Sequence, residues 1–143
     1  MPAVVPEDVA AGFQAIWKGS PVSLLVTGGL WFERTQTTAT PPYAINDVKE
    51  QLQEQLSGPF YIAKFTSTIR IWDLAKNKNT AKFARALASL LDFTPSLVVP
   101  NATSLIHCRS IPGSLELTPQ NRNAEEVIQA ERSWEVWLNA TRS

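Results

Sequence analysis

The stretch FYIAKFTSTIRIWD, residues 60–73, decides the fold because its side chains alternate in character over a long run. It is rich in aromatic and β-branched residues, and residues two apart share one face of an extended strand. One face carries Phe65, Ser67, Ile69 and Ile71, and the other carries Lys64, Thr66, Thr68 and Arg70. The alternation predicts a β-strand, the clearest in the chain.

The length of this strand bears on how copies of the chain associate. Extended residues rise about 3.3 Å each, so residues 60–73 span roughly 46 Å. A compact domain of 143 residues has a radius of gyration of about 14–15 Å. We therefore expect the strand to bend or to overhang its domain. An overhanging strand would present unpaired backbone groups for a neighbouring copy to pair.

A helix is predicted directly after the strand. Residues 74–79 form a loop that ends in Asn79, a suitable N-cap, and residues 80–91 place apolar and basic side chains on opposite helix faces. The inward set is Phe83, Leu87, Leu90 and Leu91, and the outward set is Lys82, Arg85 and Ser89. We expect this strand-to-helix unit, residues 60–92, to serve subunit assembly.

The N-terminal region begins with a predicted helix at residues 6–18. A proline and two acids favour its start, and Gly19 and Pro21 stop it. Its apolar stripe consists of Val9, Phe13, Ile16 and Trp17. We therefore expect that face to belong to the core.

The chain between this helix and the long strand gives weaker signals. Residues 22–26 form a short element, and the Gly28-Gly29 pair predicts a sharp turn before Leu30, Trp31 and Phe32. Residues 33–41 are polar and predict a loop, and residues 43–48 predict a strand. The sequence KEQLQEQLSG, residues 49–58, is compatible with either a helical turn or a polar hairpin tip.

Two further strands are predicted in the C-terminal third. Residues 103–111 form one strand, interrupted by Pro112-Gly113 and continued at 114–118, and PQNRNAEE, residues 119–126, is a turn or loop. In the last strand, residues 127–139, one face carries Ile128, Ala130, Arg132, Trp134, Val136 and Leu138. The whole chain, residues 1–143, is predicted to be one α+β domain: an antiparallel β-sheet of three to five strands packed on one face by two helices.

Composition excludes several classes of protein. Apolar residues make up 44% of the chain, charged residues 18%, and the mean hydropathy is −0.10, as in soluble globular domains. No apolar run is long enough to cross a bilayer, and the acids within MPAVVPEDVAAGF argue against a signal peptide. The single cysteine, Cys108, excludes an internal disulfide and is typical of a reducing cytoplasm.

The sequence offers no catalytic constellation. Its only histidine, His107, is a strand neighbour of Cys108, and strand neighbours point to opposite faces, so the two cannot act as a pair. A second histidine, an Asp-x-Asp cluster and a glycine-rich phosphate loop are all missing from the sequence. We therefore predict no catalytic residue, no metal site and no cofactor, and hence no enzyme.

Charge and tryptophans instead point to an interface. Residues 64–85 hold six basic residues against one acid, Asp73, although the net charge of the chain is zero. A basic patch of this kind is either a solvated face or a surface that meets an acidic patch of a neighbouring copy. Trp72 and Trp137 fall on polar strand faces, where either a partner or a second helix would cover them. The predicted interface residues are Arg70, Trp72, Lys76, Lys78, Lys82, Arg85 and Trp137.

The order of these features resembles a known family. The features are an N-terminal helix, the turn Gly28-Gly29-Leu30-Trp31, a polar loop closing in Pro42-Tyr43-Ala44, a strand ending in Ile69-Arg70-Ile71-Trp72, a helix ending in Leu90-Leu91-Asp92, and Trp134-Glu135-Val136-Trp137. Nearly the whole chain thus resembles the tail-terminator and tail-completion (head–tail joining) proteins of long-tailed bacteriophages and related prophages.

The resemblance implies an α/β subunit of a hexameric ring that caps the tail tube and joins it to the head connector. The implied partners are other copies of the chain, the tail-tube protein and the connector protein, with DNA passing through the ring but no sequence-specific binding of nucleic acid and no membrane. The implied location is the virion, assembled in the host bacterial cytoplasm.

The sequence departs from the family pattern at two places, and two alternative functions are compatible with it. The family implies a strand and hairpin over residues 48–58, where this sequence is more helix-like, and the turn after Pro119 is acidic. Neck and head-closure proteins share the same layout. The other alternative is a monomeric cytoplasmic binding module, or a small enzyme with a carboxylate pair that the sequence hides.

Overall fold

Within the described residues, six strands form one sheet, and helix α1 packs on it. The computed structural model describes residues 4–32, 42–74, 82, 85, 86, 97–111, 116–122 and 125–141, without the side chains of 74, 116–122 and 125–130. The elements are α1 (Pro6–Gly19), α2 (Val22–Leu25), β1 (Leu30–Phe32), β2 (Tyr43–Gln55), β3 (Phe60–Leu74), β4 (Ala102–Ser110), β5 (Glu116–Arg122) and β6 (Glu125–Thr141). The predicted loops at 33–41 and 75–79 and most of the predicted helix 80–91 lie outside the described residues.

The sheet has five strand positions in the order β1-β2-β3-β6-β4, and β5 pairs with the part of β6 that precedes the β4 pairing. All pairings are antiparallel except that of β1 with β2, which is parallel. Since β3 occupies one side of β6, β4 and β5 lie end to end on its other side. The predicted α+β class, with helices packed on a largely antiparallel sheet, is confirmed.

Helix α1 forms where the sequence predicts it. The Asp8 carboxylate accepts a hydrogen bond from the Val5 N–H at 3.0 Å, which satisfies a backbone donor at the helix start. On the buried face, Phe13 packs against Trp134 of β6 with ring centroids 5.7 Å apart. The short element predicted at 22–26 is the single helical turn α2.

The strongest prediction, the long strand, is confirmed together with its two faces. Phe65, Ser67, Ile69 and Ile71 are each at most 1% exposed, whereas the intervening side chains are only half-buried. In β6 the predicted inward residues Trp134, Val136 and Leu138 are fully buried. The core therefore lies between α1 and the face of the sheet that these residues share.

The expectation that β3 exposes unpaired backbone is wrong. Its partners are of similar length, β2 with 13 and β6 with 17 residues against 15 in β3, and they pair with it from Tyr61 to Trp72 and from Phe60 to Leu74 respectively. A strand too long for a compact domain is thus accommodated by two neighbours of similar length. Among the described strands, the edges of the sheet belong to other strands, β1 and β2 on one side and β4 and β5 on the other.

Residues 49–58, ambiguous in the sequence, form the outer half of a β-hairpin, as the family resemblance implies. β2 continues to Gln55, and the turn ends at Phe60, whose carbonyl accepts a hydrogen bond from the Leu56 N–H at 2.9 Å. Gly58 supplies the positive φ of 63° that the turn requires. Every residue from 49 to 60 is exposed, so this hairpin projects beyond the core.

The turn or loop predicted at residues 119–126 is wrong at both ends, because the strands extend into it. Residues 119–122 belong to β5, and Glu125 and Glu126 begin β6. Pro119 is compatible with this because β5 is an edge strand, where a missing backbone donor costs no ladder hydrogen bond. The pairing of β5 with β6 therefore determines the structure of this segment, although its polar composition is typical of a loop.

Candidate assembly surfaces

The face of the sheet opposite α1, here called the outer face, carries most of the predicted interface residues that the structure describes. Cross-strand register places Lys64 opposite Trp137, Thr66 opposite Glu135, and Arg70 opposite Glu131. β4 extends the same face with His107 opposite Trp137. Charged and aromatic side chains thus form continuous rows across three strands.

Glu135 is the centre of the first row. Its carboxylate accepts a hydrogen bond from the Trp137 indole N–H and lies 3.7 Å from Lys64 Nζ and 3.4 Å from Arg109 Nη2. The indole and these two cations hold the pKa of the Glu135 carboxyl below its usual range, against the opposing effect of burial. His107 Nε2 lies 3.8 Å from the same carboxylate. Glu135 is therefore a fixed anion that neutralises the cations around it.

Trp137 is enclosed by this row rather than fully exposed. The Lys64 ammonium lies 5.3 Å from its ring centroid, within range of a cation–π interaction, and the His107 ring lies 5.9 Å away. Trp72, the other predicted interface tryptophan, is also half-buried. Its indole nitrogen is buried and has no hydrogen-bond partner in the structure. Neither tryptophan protrudes, so each offers at most part of its ring to a partner.

Arg70 is the centre of the second row. Its Nε donates to Glu131 at 2.8 Å, and its Nη1 lies 3.8 Å from Asp47 of β2. Together with Lys64, this accounts for two of the six basic residues in the predicted patch, both paired within the chain. The charge available to a neighbouring copy is correspondingly smaller than the sequence count indicates.

Four predicted interface residues come from the segment after β3. Lys82 and Arg85 are helical and exposed, while the next residue, Ala86, is buried in the core cluster. A helix in this segment therefore contacts the core and turns its basic side chains outward, as predicted for these two residues. Lys76 and Lys78 lie outside the described residues.

A set of exposed apolar side chains on the projecting hairpin, here called the knob, was missed by the sequence reasoning. The knob consists of Leu52, Leu56 and Phe60, which are 43%, 47% and 53% exposed. A β-bulge between Glu50 and Leu52 reverses the alternation of β2, so that Leu52 pairs with Lys64 on the outer face instead of turning to the core side. Leucines four residues apart look helical in the sequence, which concealed the knob.

A second apolar feature lies at the opposite edge of the sheet, beside the start of β4. An open cavity of about 190 Å³, here called the groove, is lined by Leu97, Val98, Val99, Ala102, Thr103, Ser104, Leu105 and Leu138. Val98 is 79% exposed at its rim. The segment carrying Val98 is held against α1, whose Gly12 approaches the Val98 carbonyl closely. The groove is thus anchored to the core.

The residues considered for chemistry are separated as expected. His107 is exposed on the outer face, whereas Cys108 packs against the core. Within the described part of the chain, no three His, Cys, Asp or Glu side chains group in a way that could hold a metal ion. In the same residues, no helix is both long enough and apolar enough to cross a membrane.

Comparison with known proteins gives a likeness of fold. No family model and no curated protein matches the chain. Among 31 solved chains that match, one belongs to the virion of a native gene transfer agent (GTA) particle. It is 14% identical with a TM-score of 0.56, over 92% of this chain and 98% of that one. Another, whose description states no function, is 13% identical with a TM-score of 0.55, over 94% and 96%.

Proposed function

We propose that this chain is a structural protein of a phage-like virion. The observation that carries the proposal is the end-to-end likeness to the chain from the GTA virion, which has nearly the same extent as this one. A shared fold does not by itself fix function, but two further features agree with a structural role. The charged residues of the outer face neutralise one another, and three of the exposed apolar side chains, Leu52, Leu56 and Phe60, lie on a projecting hairpin.

Within such a particle, the role we infer is that of a non-enzymatic ring subunit that caps the tail tube and joins it to the head connector. Ring formation needs two different surfaces on each copy, and the sheet has different surfaces at its two edges. Zero net charge suits a ring through which DNA passes, because a neutral chain has little electrostatic affinity for the phosphate backbone. The inferred partners are other copies of the chain, the tube protein and the connector protein.

The ring is tested with the purified chain by native mass spectrometry and light scattering over a range of concentrations, with and without tail-tube protein. We expect a discrete oligomer, a hexamer by the family resemblance, that binds one end of assembled tubes in electron micrographs. A monomer at every concentration, with tubes left uncapped, would overturn the proposal. An oligomer that binds the connector but not the tube would instead assign the chain to the neck.

The basic helix residues provide a separate test of charge matching between copies. Reversal of both exposed cations, Lys82→Glu with Arg85→Glu, should weaken the oligomer by placing like charges opposite each other, and added salt, which weakens the wild-type contact, should partly restore assembly of the variant. The matched control is Lys18→Glu, another exposed lysine, near the end of α1. Unchanged assembly of the double variant would remove these two residues from the interface without affecting the proposed ring.

A further inference from the structure

The knob is built into the hairpin by the backbone. Without the bulge of β2, the alternation would place Leu52 on the core side of the sheet, apart from Phe60. With the bulge, Leu52 lies on the outer face opposite Lys64, Phe60 lies on the same face opposite Thr141, and Leu56 follows the last residue of β2; all three are about half exposed. Exposed apolar side chains on a projecting hairpin promote aggregation unless another surface covers them.

The groove matches the knob in size and chemistry. A cavity of about 150 Å³ in a protein interior accepts benzene, so the 190 Å³ of the groove are sufficient for one phenylalanine ring. Its walls are mainly aliphatic, with Leu105 and Leu138 at the sheet and Leu97 and Val99 beside them. The exposed Val98 extends the apolar surface beyond the rim.

Knob and groove of one chain cannot contact each other. Both lie at the same end of the strands, since β3 begins at the knob opposite Thr141 and β4 begins at the groove opposite Ala140. Laterally, β2 with Leu52 and β4 with the groove are three strand positions apart, roughly 14 Å at about 4.8 Å per position, whereas Phe60 and Leu138 of the two sites lie on the neighbouring strands β3 and β6. Knob and groove lie on opposite faces, however, because Leu105 pairs with Leu138 on the core face.

We propose that the knob of one copy packs into the groove of the next copy, which deepens the ring proposed above and rests on it. The contact joins two different surfaces of the same chain, so it is heterologous and leaves a free knob at one end and a free groove at the other. Repetition of such a contact closes into a ring when the rotation between copies permits. The occupant of the groove is therefore a second copy of this chain.

The test uses two variants whose substitutions are confined to exposed positions. The knob variant is Leu56→Glu with Phe60→Glu, and the groove variant is Val98→Glu with Thr103→Glu. The matched control is Leu24→Glu, since Leu24 is 80% exposed on α2, away from both surfaces. Circular dichroism checks that each variant is folded, and native mass spectrometry counts the copies.

We expect the control to assemble like the wild type, and each variant alone to need at least a tenfold higher concentration for assembly. Mixing the two variants should restore a single contact, between the intact knob of the groove variant and the intact groove of the knob variant. The mixture should therefore give a one-to-one heterodimer that grows no further.

The outcomes that would contradict the proposal distinguish a failure of the knob-in-groove contact from a failure of the proposed ring. If the wild type forms a discrete oligomer and both folded variants assemble equally well, the knob-in-groove contact is overturned and the ring is not. If both variants are monomeric but give no heterodimer when mixed, the two surfaces do not bind each other. If the knob variant assembles normally but no longer caps tubes, the knob binds the tube protein instead. A wild type that is always monomeric overturns both proposals.

Discussion

Gly12 of α1 lies where the helix comes closest to the segment that carries the groove. A Cβ atom added there would lie 2.8 Å from the Val98 carbonyl oxygen and 3.0 Å from Leu97 Cδ1, against 3.4 Å or more for ordinary contacts. The obstructing atom at Val98 is backbone, so it cannot rotate away. Gly12→Ala should therefore push α1 and residues 97–99 apart by about half an ångström.

Two opposing effects set the magnitude. Replacement of glycine by alanine inside a helix stabilises a protein by about 1 kcal/mol, whereas overpacking costs roughly 1–3 kcal/mol. The net effect of Gly12→Ala is thus a destabilisation of about 1 kcal/mol. The last residue of the same helix, Gly19, has no atom within 4 Å of an added Cβ. Gly19→Ala should therefore be neutral or stabilising, by at most about 1 kcal/mol.

Urea denaturation of the wild type and both variants measures this difference, at a protein concentration where all three are in the same oligomeric state. We expect Gly12→Ala to lower the free energy of unfolding and Gly19→Ala not to lower it. Each kcal/mol corresponds to roughly 3–4 °C in Tm for a chain of this size. A Gly12→Ala variant at least as stable as Gly19→Ala would refute the close packing of α1 on residues 97–99.

Three further predictions concern the core and the outer face. Ser67→Ala should cost about 1–3 kcal/mol in urea denaturation because it removes the 2.6 Å hydrogen bond to the buried Asn46 amide, and adding Asn46→Leu should recover part of that loss. The lowered pKa of Glu135 stabilises the fold above about pH 4.3, and this contribution is lost as the pH falls through the lowered value. Glu135→Gln should accordingly make the decline in stability between about pH 5 and 2 less steep. Acid titration monitored by tryptophan fluorescence measures this decline in the wild type and in the variant. Trp134→Ala should cost about 3–5 kcal/mol in urea denaturation, since the side chain is fully buried, and a loss below 1 kcal/mol would contradict its central place in the core.

The sequence predicted those parts of the fold in which local pattern and tertiary environment agree. The strand at 60–74 alternates over its whole length and is buried on one face, so period-two reasoning identified both its extent and its inward side chains. Helix α1 has a proline and two acids at its start and an apolar stripe facing the sheet. In both elements each local preference supports the global fold.

The sequence-based predictions fail where pairing with a strand distant in sequence determines the structure, against the preference of the local residues. Residues 49–55, KEQLQEQ, are mostly good helix formers, yet they form a strand because β3 offers a long partner with free backbone groups on that side. Residues 119–122 contain a proline and polar side chains, yet they pair with β6. A single sequence does not reveal the length of a partner strand.

Some of the predicted interface residues are already paired within the chain, and pairing between strands distant in sequence is again the reason. Counting charges along the chain found the basic excess, but it did not reveal that Lys64 and Arg70 form ion pairs with Glu135 and Glu131 of the neighbouring strand. Glu135 is 71 residues from Lys64 and Glu131 is 61 residues from Arg70, so only the pairing of β3 with β6 brings them together. The exposed helix residues Lys82 and Arg85, for which the structure gives no ion pair, remain predicted interface residues.

The hairpin at residues 49–60 is the segment in which the sequence left the secondary structure undecided, and it also carries the knob of the proposed contact between copies. Locally consistent sequences fold well, and departures from local preference are expected chiefly at functional sites. Here a helix-like segment is held as a projecting strand, and a bulge turns its leucine away from the core side, at no evident benefit to the isolated domain. A neighbouring copy that buries Leu52, Leu56 and Phe60 would supply the missing stabilisation. The same contact would explain both the unfavourable local choice and the exposed knob.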